Sequence, residues 1–135
     1  MFNKTIAILS KGFLVSGDSA IAQHLMPMYF LADQPQHSIP ILELMIKRNP
    51  SNPNFERLKL VTQTLVNLKN SYNANSTNVE VINQIAMIYL KLQYLDNAQY
   101  YAEKAHKLEP KNKTAIEILN TLQPLLSAVR GKVNG

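Results

Sequence analysis

The stretch Val79 to Asn112, VEVINQIAMIYLKLQYLDNAQYYAEKAHKLEPKN, decides the fold. Ile82, Ile85 and Tyr89, with small Ala86 beside Ile85, recur at intervals of three and four. That spacing puts one apolar stripe on one face of a helix. Thr77 and Glu80 stand three apart at its start, where a capping box would satisfy two orphan amides. A turn is expected at Gln93 to Leu95, and Asp96 with Gln99 repeats the capping-box spacing for a second helix. Ala98, Ala102 and Ala105 recur on the inner side of that helix, followed by Leu108. Small side chains there let the two backbones approach while the larger ones fill the space alongside. Lys104 and Lys107 lie toward the C-terminal end, where cations oppose the macrodipole, and Pro110 closes the unit.

The rest of the chain is laid around this hairpin. Phe2, Ile6, Leu9 and Phe13 follow helical spacing, so residues 1–17 are expected to form a packed amphipathic helix, with Gly17 and Asp18 turning out of it. The rival reading is a targeting or membrane-surface segment over residues 1–14, but the apolar run Thr5 to Leu9 is short for a signal peptide and Lys11 interrupts the residues after it. Residues 19–52 fit the frame of 79–112: Ala22, Leu25, Met26 and Tyr29 take the first-helix core positions, and Ser38, Leu42, Met45 and Pro50 the second-helix ones. Pro27 is expected to kink the first of these helices, Pro35 and Gln36 to make the turn, and Ser38 to cap the second.

Residues 53–72 read as one long helix capped by Asn52, with Leu58, Val61, Leu65, Leu68 and Tyr72 as its stripe and a polar loop at Asn73 to Asn78. It is either a first helix without a partner or a helix that pairs with the one after it. A second register would instead make Val79 to Lys91 a second helix; it abandons the better pattern. Residues 113–130 are expected to form a covering helix. Thr114 and Glu117 supply a third capping box, the apolar side is Ile116, Leu119, Leu122, Leu126 and Val129, Pro124 bends it and Gly131 ends it.

Composition bounds the function. Hydrophobic residues are 46% and charged residues 17%, a globular balance, and cysteine is absent, which removes disulfides and thiolate metal sites. The net charge of +5 is spread along the chain without a block, so it reads as a solvated basic surface before it reads as a site for an acidic partner or nucleic acid. His24, His37 and His106 lack metal-ligand spacing, and the four glycines form no phosphate loop. No catalytic carboxylate pair or nucleophile motif is present. The chain is therefore expected to be no enzyme and to need no cofactor or metal, and with no apolar run long enough to span a bilayer it is expected in the cytoplasm.

The unit 79–112 resembles the tetratricopeptide repeat, a helix–turn–helix unit of about 34 residues. Ile82, Ile85, Ala86, Tyr89, Leu95, Ala98, Ala105, Leu108 and Pro110 carry the resemblance. Gln93 departs from the family's usual turn glycine and Ala102 from its usual aromatic. The resemblance implies an all-α, solenoid-like stack of antiparallel hairpins, six or seven helices in one domain over 1–135, whose first helices line a groove that takes a polypeptide segment. The implied partner-binding positions are Asn83, Gln84, Met87, Leu90 and Lys91, with Gln23, His24, Pro27, Phe30 and Leu31 as the equivalents in the degenerate repeat over 19–52. Burial of Met87 and Leu90 under the preceding long helix is the alternative reading. The family's carboxylate clamp is not expected, since only Asn83 and Lys91 stand near its positions. An adaptor, scaffold or assembly factor binding another protein is the leading expectation; a basic nucleic-acid-associated repeat, a membrane-tethered assembly factor and a homo-oligomer are the others.

Overall fold

The structure, a computed structural model, describes the backbone of residues 19–134 and the side chains of residues 24–129. The expected helix over 1–17 and its turn lie outside the described residues. Among those described, every regular element is helical and none is a strand. In order they are α1 (Ser19–Leu31), a 3-10 turn (Pro35–His37), α2 (Ser38–Arg48), α3 (Pro53–Ala74), α4 (Val79–Lys91), α5 (Leu95–Leu108) and α6 (Lys113–Asn134). Two compact units divide between Val66 and Asn67, inside α3.

A shift of 60 residues carries Leu31 onto Lys91, Arg48 onto Leu108 and Pro53 onto Lys113, so each of these helix ends has a counterpart. The turns match bond for bond. The amide of Asp33 donates to Phe30 O at 3.0 Å and that of Gln34 to Tyr29 O at 2.8 Å; the amide of Gln93 donates to Leu90 O at 3.0 Å and that of Tyr94 to Tyr89 O at 2.9 Å. This is the Schellman ending, which places one residue in the left-handed region. Those residues are Asp33 (φ 59°) and Gln93 (φ 68°). The next ends match too: the amide of Asn52 donates to Asn49 O at 3.1 Å and that of Asn112 to Glu109 O at 3.0 Å, around Pro50 and Pro110. The chain thus contains one pattern of elements twice, a short helical hairpin followed by a long helix, from α1 to α3 and from α4 to α6. The long helix that breaks the shorter sequence frame follows the first hairpin as α6 follows the second, with Phe55 against the first unit's core.

The first unit is centred on Leu25, Tyr29, Ile41 and Met45, with Met26, Met28, Ala32, Leu44 and Phe55 packed around them. Tyr29 lies against the His37 ring, 5.2 Å between centroids. Pro27 lies inside α1, which runs on to Leu31. Ser38 does not cap α2. His37 holds the cap position without a side-chain bond, and Ser38 sits inside, fully buried, its Oγ without a partner among the described residues. Asn52 does serve α3, its Oδ1 accepting the amide of Asn54 at 3.0 Å.

In the second unit α4 and α5 pack along their lengths. Ile82, Ile85, Ala86 and Tyr89 are buried from one side and Ala98, Tyr101, Ala102 and Ala105 from the other. Tyr89 and Tyr101 stack with centroids 5.9 Å apart and planes 15° apart, filling the space that the alanines leave. The C-terminal end of α3 joins them: the Tyr72 ring meets Tyr101 edge-on at 5.7 Å. Helix α6 packs mainly on α5 through Ala115, Ile118, Leu122 and Leu126. Its buried side is rotated from the expected stripe, for Ile116 and Val129 are exposed. It also continues through Pro124 and past Gly131 to Asn134.

Two of the three expected capping boxes are replaced by asparagine caps. Asn78 accepts the amide of Val81 at 3.3 Å, while Thr77 turns back to Asn75 Oδ1 at 2.8 Å. Asn112 accepts the amide of Ala115 at 3.0 Å, leaving Thr114 inside the helix. Helix α5 starts at Leu95 with no side-chain cap, so Asp96 acts through its charge on the first turn.

Candidate functional site

Helix α4 presents one face to a cleft. Glu80, Asn83, Gln84 and Met87 lie three, four and seven positions along from one another, so they share that face. Glu109 and Asn112 of the α5–α6 connection, Thr114 at the start of α6, and Thr77, Asn78 and Val79 also line the cleft. The cleft encloses about 560 Å³. Its position follows from this order of elements: Pro110 stops α5, and the chain then turns sharply so that Asn112 can cap α6 within reach of α4.

One hydrogen-bond chain ties α4 to the α5–α6 connection. Asn83 Nδ2 donates to Asn112 Oδ1 at 3.0 Å across 29 positions of sequence. Asn112 Oδ1 also accepts the Ala115 amide at 3.0 Å, and Asn112 Nδ2 donates to Glu109 Oε1 at 3.2 Å. Among the described residues the lining carries two carboxylates, Glu80 and Glu109, and no lysine or arginine. Met87 adds an apolar, adaptable surface that is 40% exposed.

The structure brings three of the sequence-expected positions together here: Asn83, Gln84 and Met87. Met87 is not buried under the preceding helix. Leu90 is half-buried and Lys91 exposed toward the end of α4, and neither lines the cleft. Phe30 is 1% exposed and offers no surface. Gln23 lies in α1, its side chain outside the described residues; His24 and Leu31 are exposed and Pro27 is half-buried. Sequence reasoning missed Glu80, Glu109 and Asn112 as lining residues. The signal available was Asn112 itself, an asparagine just after a helix-stopping proline and so a natural cap beside the groove.

A second polar cluster lies on α5. Lys104 Nζ donates to Tyr72 Oη at 2.6 Å and stands 4.8 Å from the centre of the Tyr100 ring. These hydroxyl and ring contacts, Tyr72 first and Tyr100 next, hold the ammonium above its usual lysine range. Burial pushes the Tyr94 hydroxyl up as well. No group of three or more His, Cys, Asp or Glu placed to hold a metal occurs among the described residues, and no helix there is long and apolar enough to cross a membrane.

No protein-family model matches the chain, and neither a curated protein nor a solved structure does.

Proposed function

We propose that the chain is a tetratricopeptide-like interaction module that holds a segment of another protein in the α4 cleft and carries out no chemistry, acting as an adaptor, scaffold or assembly factor. The observation that carries this reading is the cleft's lining: amide side chains at Asn78, Asn83, Gln84 and Asn112 beside exposed Met87. Side-chain amides donate to and accept from a peptide backbone without the desolvation cost of a charge. Methionine covers apolar side chains of varied shape. The family likeness of 79–112 supports the same reading, since its first helices are the groove-lining ones. The two carboxylates weigh against nucleic-acid phosphate as the occupant.

The test uses the isotope-labelled whole chain and a panel of end-blocked decapeptides of varied composition, followed by backbone amide shifts. Some members of the panel are expected to move the amides of residues 78–87 and 109–114. The double substitution Gln84→Ala, Met87→Ala is expected to weaken them about tenfold, or about 1.4 kcal/mol. A panel that leaves those amides unmoved, or binding that the double variant keeps in full, ends the proposal.

A further inference from the structure

One residue of the cleft's lining has a polar atom with nothing to bond among the described residues. Asn83 is 5% exposed, and its Oδ1 is shielded from solvent and accepts from no donor there. The neighbours fix which amide atom is left over. The Ala115 amide can only donate and the Glu109 carboxylate can only accept, and Asn112 lies between them with Oδ1 toward the first and Nδ2 toward the second. Asn112 therefore cannot be turned over, and it presents an acceptor to Asn83. Asn83 answers with Nδ2, so the orphan is an acceptor. Leaving it unmade is costly, and a ligand that brings a donor recovers that cost.

The charge of the cleft's lining is the reverse of the molecule's, while Lys111 and Lys113 stand on either side of Asn112 outside it. The chain carries +5, yet the cleft is lined by Glu80, one turn before Asn83, and Glu109 on the α5–α6 connection, with no cation in the described lining. An acidic segment would meet repulsion there. A backbone amide could satisfy Asn83 but would leave both carboxylates without a cationic partner. A guanidinium is planar, always charged and carries five donors in a fixed fork, so it can serve an amide oxygen and a carboxylate together. Its methylene stem suits the apolar surface of Met87.

We infer that the cleft takes an arginine side chain of a basic polypeptide segment, with the guanidinium shared among Asn83, Glu80 and Glu109. This rests on the polypeptide-binding reading and names the kind of segment that is held.

The experiment titrates the labelled whole chain with three end-blocked glycine–serine peptides of equal length, bearing two arginines, two citrullines or two glutamates. The arginine peptide is expected to move the amides of residues 78–84 and 109–115 and to bind at least tenfold tighter than the citrulline peptide. Raised salt is expected to weaken it, and the glutamate peptide to leave those amides unmoved. Glu80→Gln and Glu109→Gln together are expected to bring the arginine peptide to the citrulline level, and Asn83→Leu to abolish its binding. If Asn83→Leu does not fold, the two glutamate substitutions decide, because both side chains are exposed. Citrulline or glutamate peptides binding in the cleft as tightly as arginine would overturn the inference while the polypeptide reading stands. So would an unchanged affinity in the double glutamine variant. Silence from these three peptides and from the varied panel would remove both.

Discussion

Ser38 and Gln93 each stand in an environment that suits another residue. The Ser38 hydroxyl is buried without a partner among the described residues, and 60 residues later the same place is filled by Ala98, equally buried. Ser38→Ala is expected to stabilise the protein by about 1 kcal/mol, because an unmade buried hydroxyl bond costs about that much or more. A urea titration with an unchanged slope and a raised midpoint would show it. Gln93 has φ 68°, where a β-carbon is crowded. Gln93→Gly is expected to add about 0.5–1 kcal/mol, the steric relief exceeding the entropy that glycine loses. Gln93→Ala is the control; a matching gain from alanine would refute the left-handed account. At this scale the sequence was partly legible. The absence of a turn glycine is visible as a departure from the repeat pattern, while the strain it leaves is visible only in the backbone. The first cap moved by one residue because asparagine caps as well as threonine and Asn78 stands one place further on. The unpaired oxygen of Asn83 could not be read at all, because the residue that orients its amide comes from a loop 29 positions away.

Elements hold together where side chains from different helices share a space. Tyr89 is fully buried between α4 and α5 and stacks on Tyr101. Tyr89→Ala is expected to cost about 3–5 kcal/mol, the range for emptying an aromatic site, and the loss would appear in a thermal melt followed by circular dichroism. Asn112 joins α4, the α5–α6 connection and α6 through its bonds to Asn83, Glu109 and Ala115. Asn112→Ala is expected to cost about 2–3 kcal/mol, a lost cap together with an Asn83 donor left unpaired. Hydrogen exchange at the first amides of α6 should speed up in that variant, and unchanged exchange there would show that the cap contributes little. The helices themselves were legible because their apolar spacing is regular: α4 and α5 run where Ile82, Ile85, Tyr89 and the alanine series put them. Helix α6 was legible in extent but not in orientation. Its apolar residues occupy more than one side, so periodicity alone could not choose between Ile116 and Ala115, and packing on α5 chose Ala115.

For the whole molecule the informative number is the shift of 60 residues, longer than the hairpin unit that the sequence pattern suggests. The hairpin frame was readable from Tyr29 and Tyr89 and from Pro50 and Pro110; the long helices escaped it because Phe55 answers to Ala115 and Leu58 to Ile118, and the two residues they share, Gln63 with Gln123 and Leu65 with Leu125, form no pattern, Leu65 being buried and Leu125 exposed. The pH response also belongs to this scale. Lys104 is held above its usual range by Tyr72 and Tyr100, so its stabilising share is full below the unfolded lysine value of about 10.4 and is lost as pH rises through the folded value. Tyr94 is raised by burial, so the unfolded chain ionises first, from about pH 10, and stability falls from there upward. Both groups slope the same way, and neither contributes a slope near neutrality. Urea midpoints measured from about pH 8 to 11 should therefore stay level on their account and then drop. Tyr72→Phe is expected to reduce the alkaline drop without abolishing it, since Tyr94 remains; an identical drop in the variant would deny Lys104 its part.

Two copies of one framework need not share one task. Ala20 and Asn49 stand in the first where Glu80 and Glu109 stand in the second. The acidity of the cleft is thus separable from the bends that both halves share: it comes from residues that the first copy does not repeat.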